Sequence, residues 1–419
     1  MHYIRLLKSP TQSRSGKKHM LDLVFTITTD LGDSFLYPDE PINLTIHAEI
    51  PSDSDSKKKD LVDLSLRTGK LQWRSGMRVA KPSVDISRLM QLPSNSKSKV
   101  SICISTESFS ARSVSDILAT TAVSEEEEPA GQIMPVWITL GHAEAEVEVS
   151  TRRLYLPGTS EQEDYVELEE EIGESIARHI WDAGVIAFCA IAESWILPMP
   201  TDTEPSGLKS LKKLFAGPKP INVLELGCGV GILGGGLSAV IPRMRPPPSR
   251  RCTILMTDLE GAESRTRSNM SRLLQARRAK SSSSPPVKLL YENLDWEQGR
   301  KGEFDFETQN HRWDLVMLSD CTYNVDMLPA LVETLSALHT SNMAHAAASS
   351  SSSGEASSGE QLLSTKVFLA TKPRHASEEA LFDLLSQEGW TELHRQTLPL
   401  PVLGAETQSV ELYLYEKLQ

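Results

Sequence analysis

Between residues 221 and 390 the chain repeats one unit, a short run of aliphatic and β-branched residues followed, in most cases, by a segment with helical spacing of apolar positions. The runs are "INVLEL", "TILMTD", "VKLLY", "WDLVMLS" and "KVFLAT"; the helical segments include "AESRTRSNMSRLLQAR", "MLPALVETLSALH" and "SEEALFDLLSQEG". Strands this uniformly apolar are buried on both faces, which in a strand–helix alternation means a mainly parallel sheet with helices on either side. The tail breaks the rhythm. "TELHRQTLPL" and "SVELYLYEKL" are strand-like and share only a short polar link, so they are read as an antiparallel hairpin. The expected fold class is α/β, a doubly wound sheet of seven strands closed by that C-terminal hairpin.

The first 155 residues follow a different pattern. "LDLVFTITTD", "INLTIHAEI", "KLQWRSGMRV", "KVSICIST", "MPVWITL" and "AEVEVSTRRLYL" are strand-like, separated by polar breaks that include the acidic run Glu125 to Glu128, read as a solvated loop. Residues 1–155 are therefore expected to be a β-rich accessory region and 160–419 the second domain. That domain should open on one amphipathic helix, because "ELEEEIGESIARHIWDAGVIAFCAIAESW" sets Ile172, Ile176, Ile180, Ala183, Ala187 and Ile191 at helical spacing. Low-complexity stretches near 242–251, 279–286 and 342–361 are expected to be disordered inserts, each lying between a helix and the next strand, away from the strand ends where ligands bind.

Composition narrows the function. A net charge of -13 speaks against a general nucleic-acid binder. The five cysteines are scattered without a Cys-x-x-Cys pair, so neither a disulfide framework nor a metal site is expected. "MHYIRLLKSP" lacks the apolar core of a signal peptide, and "AGVIAFCAIA" is too short to span a bilayer. The expectation is a reducing location, cytoplasmic or also nuclear, with no membrane partner.

The chemistry begins at "VLELGCGVG". Gly227, Gly229 and Gly231 follow a strand and open a helix, where a backbone without side chains can approach a ligand. Asp258 ends the next strand, placed to accept hydrogen bonds from ribose hydroxyls. A dinucleotide fingerprint needs glycine at 232, where this chain has Ile232, and there is no Gly-Lys-Ser/Thr for a phosphate loop. Together these features resemble a Rossmann-like class I methyltransferase with "ELGCGVG" as its S-adenosylmethionine loop.

Three further segments sharpen the resemblance. "ARHIWDAG" (177–184), "NLDW" (293–296) and "DCTY" (320–323) are similar, in order, to segments of the non-SET, seven-strand protein-lysine methyltransferases of family 16, over about residues 165 to 416. The resemblance implies that Trp181 lies against the cofactor, that Glu225, Gly227, Gly229 and Gly231 bound its methionine and ribose portions, and that Asp258 holds the ribose. It further implies Trp296 near the adenine, Ser319 beside the cofactor, and Asp320 with Tyr323 facing the methyl acceptor, a lysine of a protein substrate. A monomer is expected.

Plainer readings stand beside these. Trp181 and Trp296 could be core aromatics, and Asp320 could cap the following helix, although Asp326 is the better placed cap and leaves Asp320 free for the acceptor. Cys321 reads as a small buried filler, since no histidine neighbours it and methyl transfer needs no covalent enzyme intermediate. Gly234, Gly235 and Gly236 should weaken their helix by about 1 kcal/mol each relative to alanine, without a reason visible in the sequence. Alternative functions are methylation of histidine, another protein nitrogen or a small molecule, and a non-catalytic adaptor.

Overall fold

The computed structural model describes the chain apart from residues 52–58, 66–70, 94–99, 120–131, 141–148, 159–163, 173–177, 199–204, 218, 246–249, 281–286, 353–363, 404–407 and 419. It divides into two compact units, one of Met1–His179 with Pro399–Gln408 and one of Ile180–Leu398 with Ser409–Gln419.

The first unit is built from strands. Its largest sheet runs Tyr165–Glu171, Val149–Tyr155, Val136–Thr139, Ser101–Thr106, Ile42–Pro51 and Lys59–Asp63 in spatial order, every pair antiparallel. Phe25, Ile27, Ile46, Trp73, Ile102 and Ile104 lie in its core. One of the sequence expectations changes here. Glu167–Glu171, read as the start of a helix in the second domain, belongs to the strand Tyr165–Glu171 at the edge of this sheet. Its acids sit opposite the "TRR" strand: Glu170 is bound by Arg152, 2.7 Å from Nε, and Glu167 takes Nε of Arg153 at 2.5 Å. Cross-strand Arg–Glu pairing, invisible to a helical count, decides the conformation.

The second unit carries the expected alternation. Its strands are β1 (Ile221–Leu226), β2 (Cys252–Asp258), β3 (Val287–Asn293), β4 (Leu315–Ser319), β5 (Ser364–Thr371), β6 (Thr391–Leu400) and β7 (Gln408–Leu418). They form one sheet in the order β3-β2-β1-β4-β5-β7-β6, parallel from β1 to β5 and antiparallel where β7 meets β5. The helices are α1 (Asp182–Ile196), α2 (Ser206–Ala216), α3 (Ile232–Val240), α4 (Glu260–Lys280), the single turns α5 (Trp296–Gly299) and α6 (Phe306–Gln309), α7 (Leu328–Ser352) and α8 (Ala380–Gln387).

The order in which the chain adds strands reverses between β1 and β4, which themselves run parallel. In open α/β sheets that crevice, outside the carboxyl ends of the strands, is where ligands bind.

Helix α1 is buried on nearly every side rather than amphipathic, and it begins only at Asp182. The insert expected near 342–361 is helical in its first part, because α7 continues to Ser352. Asn342 explains the extension: fully buried, it accepts from the Trp313 backbone N–H at 2.7 Å and donates to the Trp313 carbonyl at 2.9 Å, pinning α7 beside β4. Likewise Ile241–Arg243 forms a helical turn and α4 reaches Lys280; the remainder of all three stretches lies mainly outside the described residues.

The three glycines of α3 each admit a different neighbour. A Cβ on Gly234 would collide with the Glu225 carboxylate, one on Gly235 would come within 2.8 Å of Leu273 on α4, and one on Gly236 would enter the Phe188 ring on α1. Close packing on three sides is the reason for the run, at the cost in helix propensity that the sequence implied.

Candidate cofactor and acceptor site

At the end of β1 the chain turns through Gly227, Gly229 and Gly231 at φ of 64°, 53° and 85°, the left-handed region that side chains disfavour. Gly227 is doubly constrained, since a Cβ there would lie 2.6 Å from Cys321 Sγ and 3.5 Å from Cζ2 of Trp296. The loop is fixed from below: the Cys228 N–H donates to Thr257 O at 3.0 Å, Thr266 Oγ1 donates to Gly229 O at 2.6 Å, and Asn269 Nδ2 donates to Val230 O at 3.0 Å. Thr266 and Asn269 sit one turn apart on α4, and sequence reading missed them because their only signal was a polar pair on an otherwise solvated helix.

Asp258 ends β2 with its Oδ2 accepting the Gly229 N–H at 2.8 Å and its Oδ1 accepting the Leu259 N–H at 2.7 Å. Burial raises its pKa, and these two N–H groups oppose the rise. Each oxygen keeps a second acceptor position, the acceptor pair a ribose diol requires. With a side-chain-free loop beside it and the Trp296 ring edge against that loop, the cradle fits an adenosyl group carrying a short charged arm.

Glu225 is corrected. Its side chain does not line the loop but turns inward, 1% exposed, and accepts the Gly234 N–H at 3.0 Å. Gly231 is the N-cap of α3 and makes no side-chain cap bond, so Glu225 caps the helix from the strand beneath. Burial pushes its carboxyl up to about 8, against the pull of the Gly234 N–H.

Asp320 is corrected in the same way. It sits just past β4 at φ 52°, and it is not free: Oδ2 accepts the Ala183 N–H of α1 at 2.7 Å, and Oδ1 takes Nη1 of Arg374 at 2.6 Å. Trp181, the N-cap of α1, offers no side-chain cap bond, so Asp320 again supplies the cap from a strand end. Asp326, the expected cap of the next helix, lies inside the turn Val325–Met327, whose N-cap Asn324 makes no side-chain bond.

The "WDAG" and "DCTY" segments thus meet. Gly184 approaches Ser319 so closely that a Cβ would sit 3.1 Å from its Oγ and 2.8 Å from Ile232. Asp182 is buried and paired with Lys372 at 2.8 Å. The Arg374 guanidinium also stands 5.4 Å over the Trp181 ring. Lys372 and Arg374, both from the "TKPR" that follows β5, are the residues the sequence reading left out; alternate cations after a strand were the available signal.

Trp181 and Trp296 are half-buried, and Cys321 is buried with its thiol pushed well up by burial, which agrees with a filler. Tyr323 is 58% exposed at the rim, its phenol raised by the part that is buried. A cavity of about 690 Å³ adjoins this end, with Thr322, Arg374, Glu378, Phe382 and Tyr413 in its wall. Among the described residues no cluster of His, Cys, Asp and Glu could hold a metal ion, and no helix is long and apolar enough to cross a membrane.

A family model described as lysine methyltransferase matches residues 160–358. A UPF0665 family protein of Schizosaccharomyces pombe is 24% identical over 399 residues, 94% of each chain, so the likeness reaches well into the first unit. Among solved structures, precorrin-6y C5,15-methyltransferase from Geobacter metallireducens is 10% identical over 53% of this chain and 93% of its own, with a TM-score of 0.28. An S-adenosylmethionine-dependent methyltransferase from Methanosarcina mazei is 8% identical over 48% and 95%, with a TM-score of 0.29. The sheet order, the glycine loop with Asp258, and the family match over both motif segments lead to one conclusion: this chain carries a class I, S-adenosylmethionine-dependent methyltransferase domain like those of the lysine methyltransferase family.

Proposed function

We propose that the domain methylates the side-chain nitrogen of a lysine in a protein partner, acting as a monomer. The observation that carries this reading is the lysine methyltransferase match across the segments that converge at the ends of β1 and β4. When bound, S-adenosylmethionine supplies an already activated methyl group. The protein's part is to orient a neutral amine, exclude water and let a proton leave. Gly227, Gly229, Gly231 and Asp258 would hold the adenosyl portion, with Trp296 and Ser319 beside it. Glu225 and Asp320 act at one remove, each fixing the start of a helix that frames the crevice. Tyr323 is the acceptor-side group open to a partner, offering a ring face to a cation and a neutral hydroxyl for a hydrogen bond. Free lysine has a pKa of about 10.4, so losing a proton is the demanding step near pH 7; water is the final base in this scheme. Exposure of a cell extract to isotopically labelled methyl donor, followed by mass spectrometry of the labelled bands, tests the proposal. Methyl-lysine on one or a few proteins is the expected result, and label only on histidine or on small molecules contradicts it.

A further inference from the structure

Beside the carboxyl ends of β4 and β5, on the side where open α/β sheets take their ligands, lies the cavity of about 690 Å³. Thr322, just past β4, and Thr371, at the end of β5, mark where it meets the strand ends. The β6–β7 hairpin supplies Glu392, Arg395, Glu411, Tyr413 and Tyr415 to its wall. The helical turn Ala376–Glu379 and α8 supply Glu378, Glu379, Phe382 and Asp383. All of these residues belong to the second unit. The size is within the range of about 300–1,000 Å³ that encloses a drug-sized ligand, the bulk of a short peptide segment.

The charges on this wall do not balance. Five carboxylates share it with two guanidiniums, and one of these, Arg374, is already paired at 2.6 Å with Asp320, which is not part of the wall. Glu378 is taken up by the Thr322 hydroxyl and by the backbone N–H groups of Arg374 and His375. Arg395 pairs with Glu411 at 2.5 Å while its guanidinium stands 5.3 Å over the Tyr413 ring. An aromatic face with a carboxylate beside it is therefore a cation seat in this wall, and an arginine of the chain itself uses it. Glu379, Asp383 and Glu392 remain. All three are exposed, and among the described residues none forms an ion pair. Beside them the rings of Phe382, Tyr413 and Tyr415 run on from one another, with centroids 4.9 and 5.9 Å apart. Carboxylates of one sign in a groove with apolar walls concentrate the opposite charge there, and aromatic rings suit the long stems of lysine and arginine.

We propose that this groove is an interaction surface for the protein partner and takes a segment of it rich in lysine and arginine. The stems of that segment lie along Phe382 and Tyr415, and its charges meet Glu379, Asp383 and Glu392. The inference rests on the protein-partner reading above and adds to it the chemistry by which the partner is selected.

The test is fluorescence anisotropy of the full chain with a fluorescein-labelled peptide of alternating lysine and glycine, at physiological salt, where charges more than about 8 Å apart are largely screened. Wild type should bind this peptide, and should bind its counterpart with glutamine for lysine at least tenfold more weakly. Glu379→Gln/Asp383→Asn/Glu392→Gln should lose about tenfold in affinity for the lysine peptide. Asp39→Asn/Glu40→Gln/Glu303→Gln removes as much charge from exposed acids outside the groove, and should change the affinity less than about twofold. Arg395→Gln, which opens Glu411 and the Tyr413 face, should keep the affinity or raise it. Because every acid replaced is exposed, both triple variants should melt with wild type. Equal losses in the two triple variants reduce the effect to net charge and overturn the proposal; so does weaker binding in Arg395→Gln, or no binding by wild type. Absence of methyl label from every lysine, with the triple variants still separated, removes the catalytic reading alone. Lysine label with the triple variants unseparated removes the groove alone.

Discussion

Replacing Asp320 by alanine separates a carboxylate that holds the site together from one that waits for substrate. The side chain is 4% exposed and, among the described residues, accepts the Ala183 N–H and pairs with Arg374. Removing it takes the carboxylate from a guanidinium whose side chain is 13% exposed, and breaking such a pair typically costs about 3–5 kcal/mol. The lost helix cap adds about 0.5–2 kcal/mol, part of which overlaps the first figure. For a unit of this size about 1 kcal/mol corresponds to roughly 2–4 °C, so Asp320→Ala should lower the melting temperature of the second unit by about 6–20 °C in scanning calorimetry. Asp320→Asn keeps one carbonyl oxygen and tolerates the φ of 52°, and should fall between wild type and alanine. Asp320→Gly relieves that backbone and should be more stable than alanine by up to about 1 kcal/mol. A melting temperature for Asp320→Ala within a degree of wild type, with methyl transfer abolished, would refute the capping role and restore the free carboxylate.

Three other outcomes follow from the same packing. Because burial holds the Glu225 carboxyl at about 8 against 4.5 when unfolded, its stabilising contribution is complete below pH 4.5 and is lost as pH rises toward 8, at up to about 1.4 kcal/mol per unit. Glu225→Gln should flatten that part of a urea-midpoint profile, and parallel profiles for the two proteins would contradict the assignment. Gly236→Ala should destabilise despite better helix propensity, since its Cβ enters the Phe188 ring, while Gly261→Ala, with nothing within 4 Å, should gain up to about 1 kcal/mol; denaturant midpoints that move together would contradict the packing account. In Gly227→Ala the new Cβ meets Cys321, so cofactor affinity should fall at least tenfold, and the double variant with Cys321→Ala should recover only part of it because φ stays at 64°.

The alternation of apolar runs and helical segments was enough to place seven strands, because each parallel strand is buried on both faces and so writes itself into the sequence as an unbroken run. The glycine loop and Asp258 were legible for a similar reason: a tight turn leaves few residue choices. What the sequence could not disclose was pairing across distance. Glu167–Glu171 has helical spacing but pairs its acids with Arg152 and Arg153 on the neighbouring strand, and the "AHAAASSSS" stretch has the composition of filler but continues a helix whose Asn342 grips Trp313. Glu225 and Asp320 were recognised as important residues, but their roles depended on Gly234 and Ala183, whose backbone N–H groups carry no sequence signal.

Calorimetric titration of the folded protein with S-adenosylmethionine addresses the central claim most directly, with Asp258→Ala beside it. Asp258 is predicted to hold the ribose through oxygens that already steady Gly229 and Leu259. The account predicts one site per chain for wild type and at least a tenfold weaker site for Asp258→Ala, with the variant still folded. Absence of binding to the folded wild-type protein, or equal affinity in the two, would contradict it.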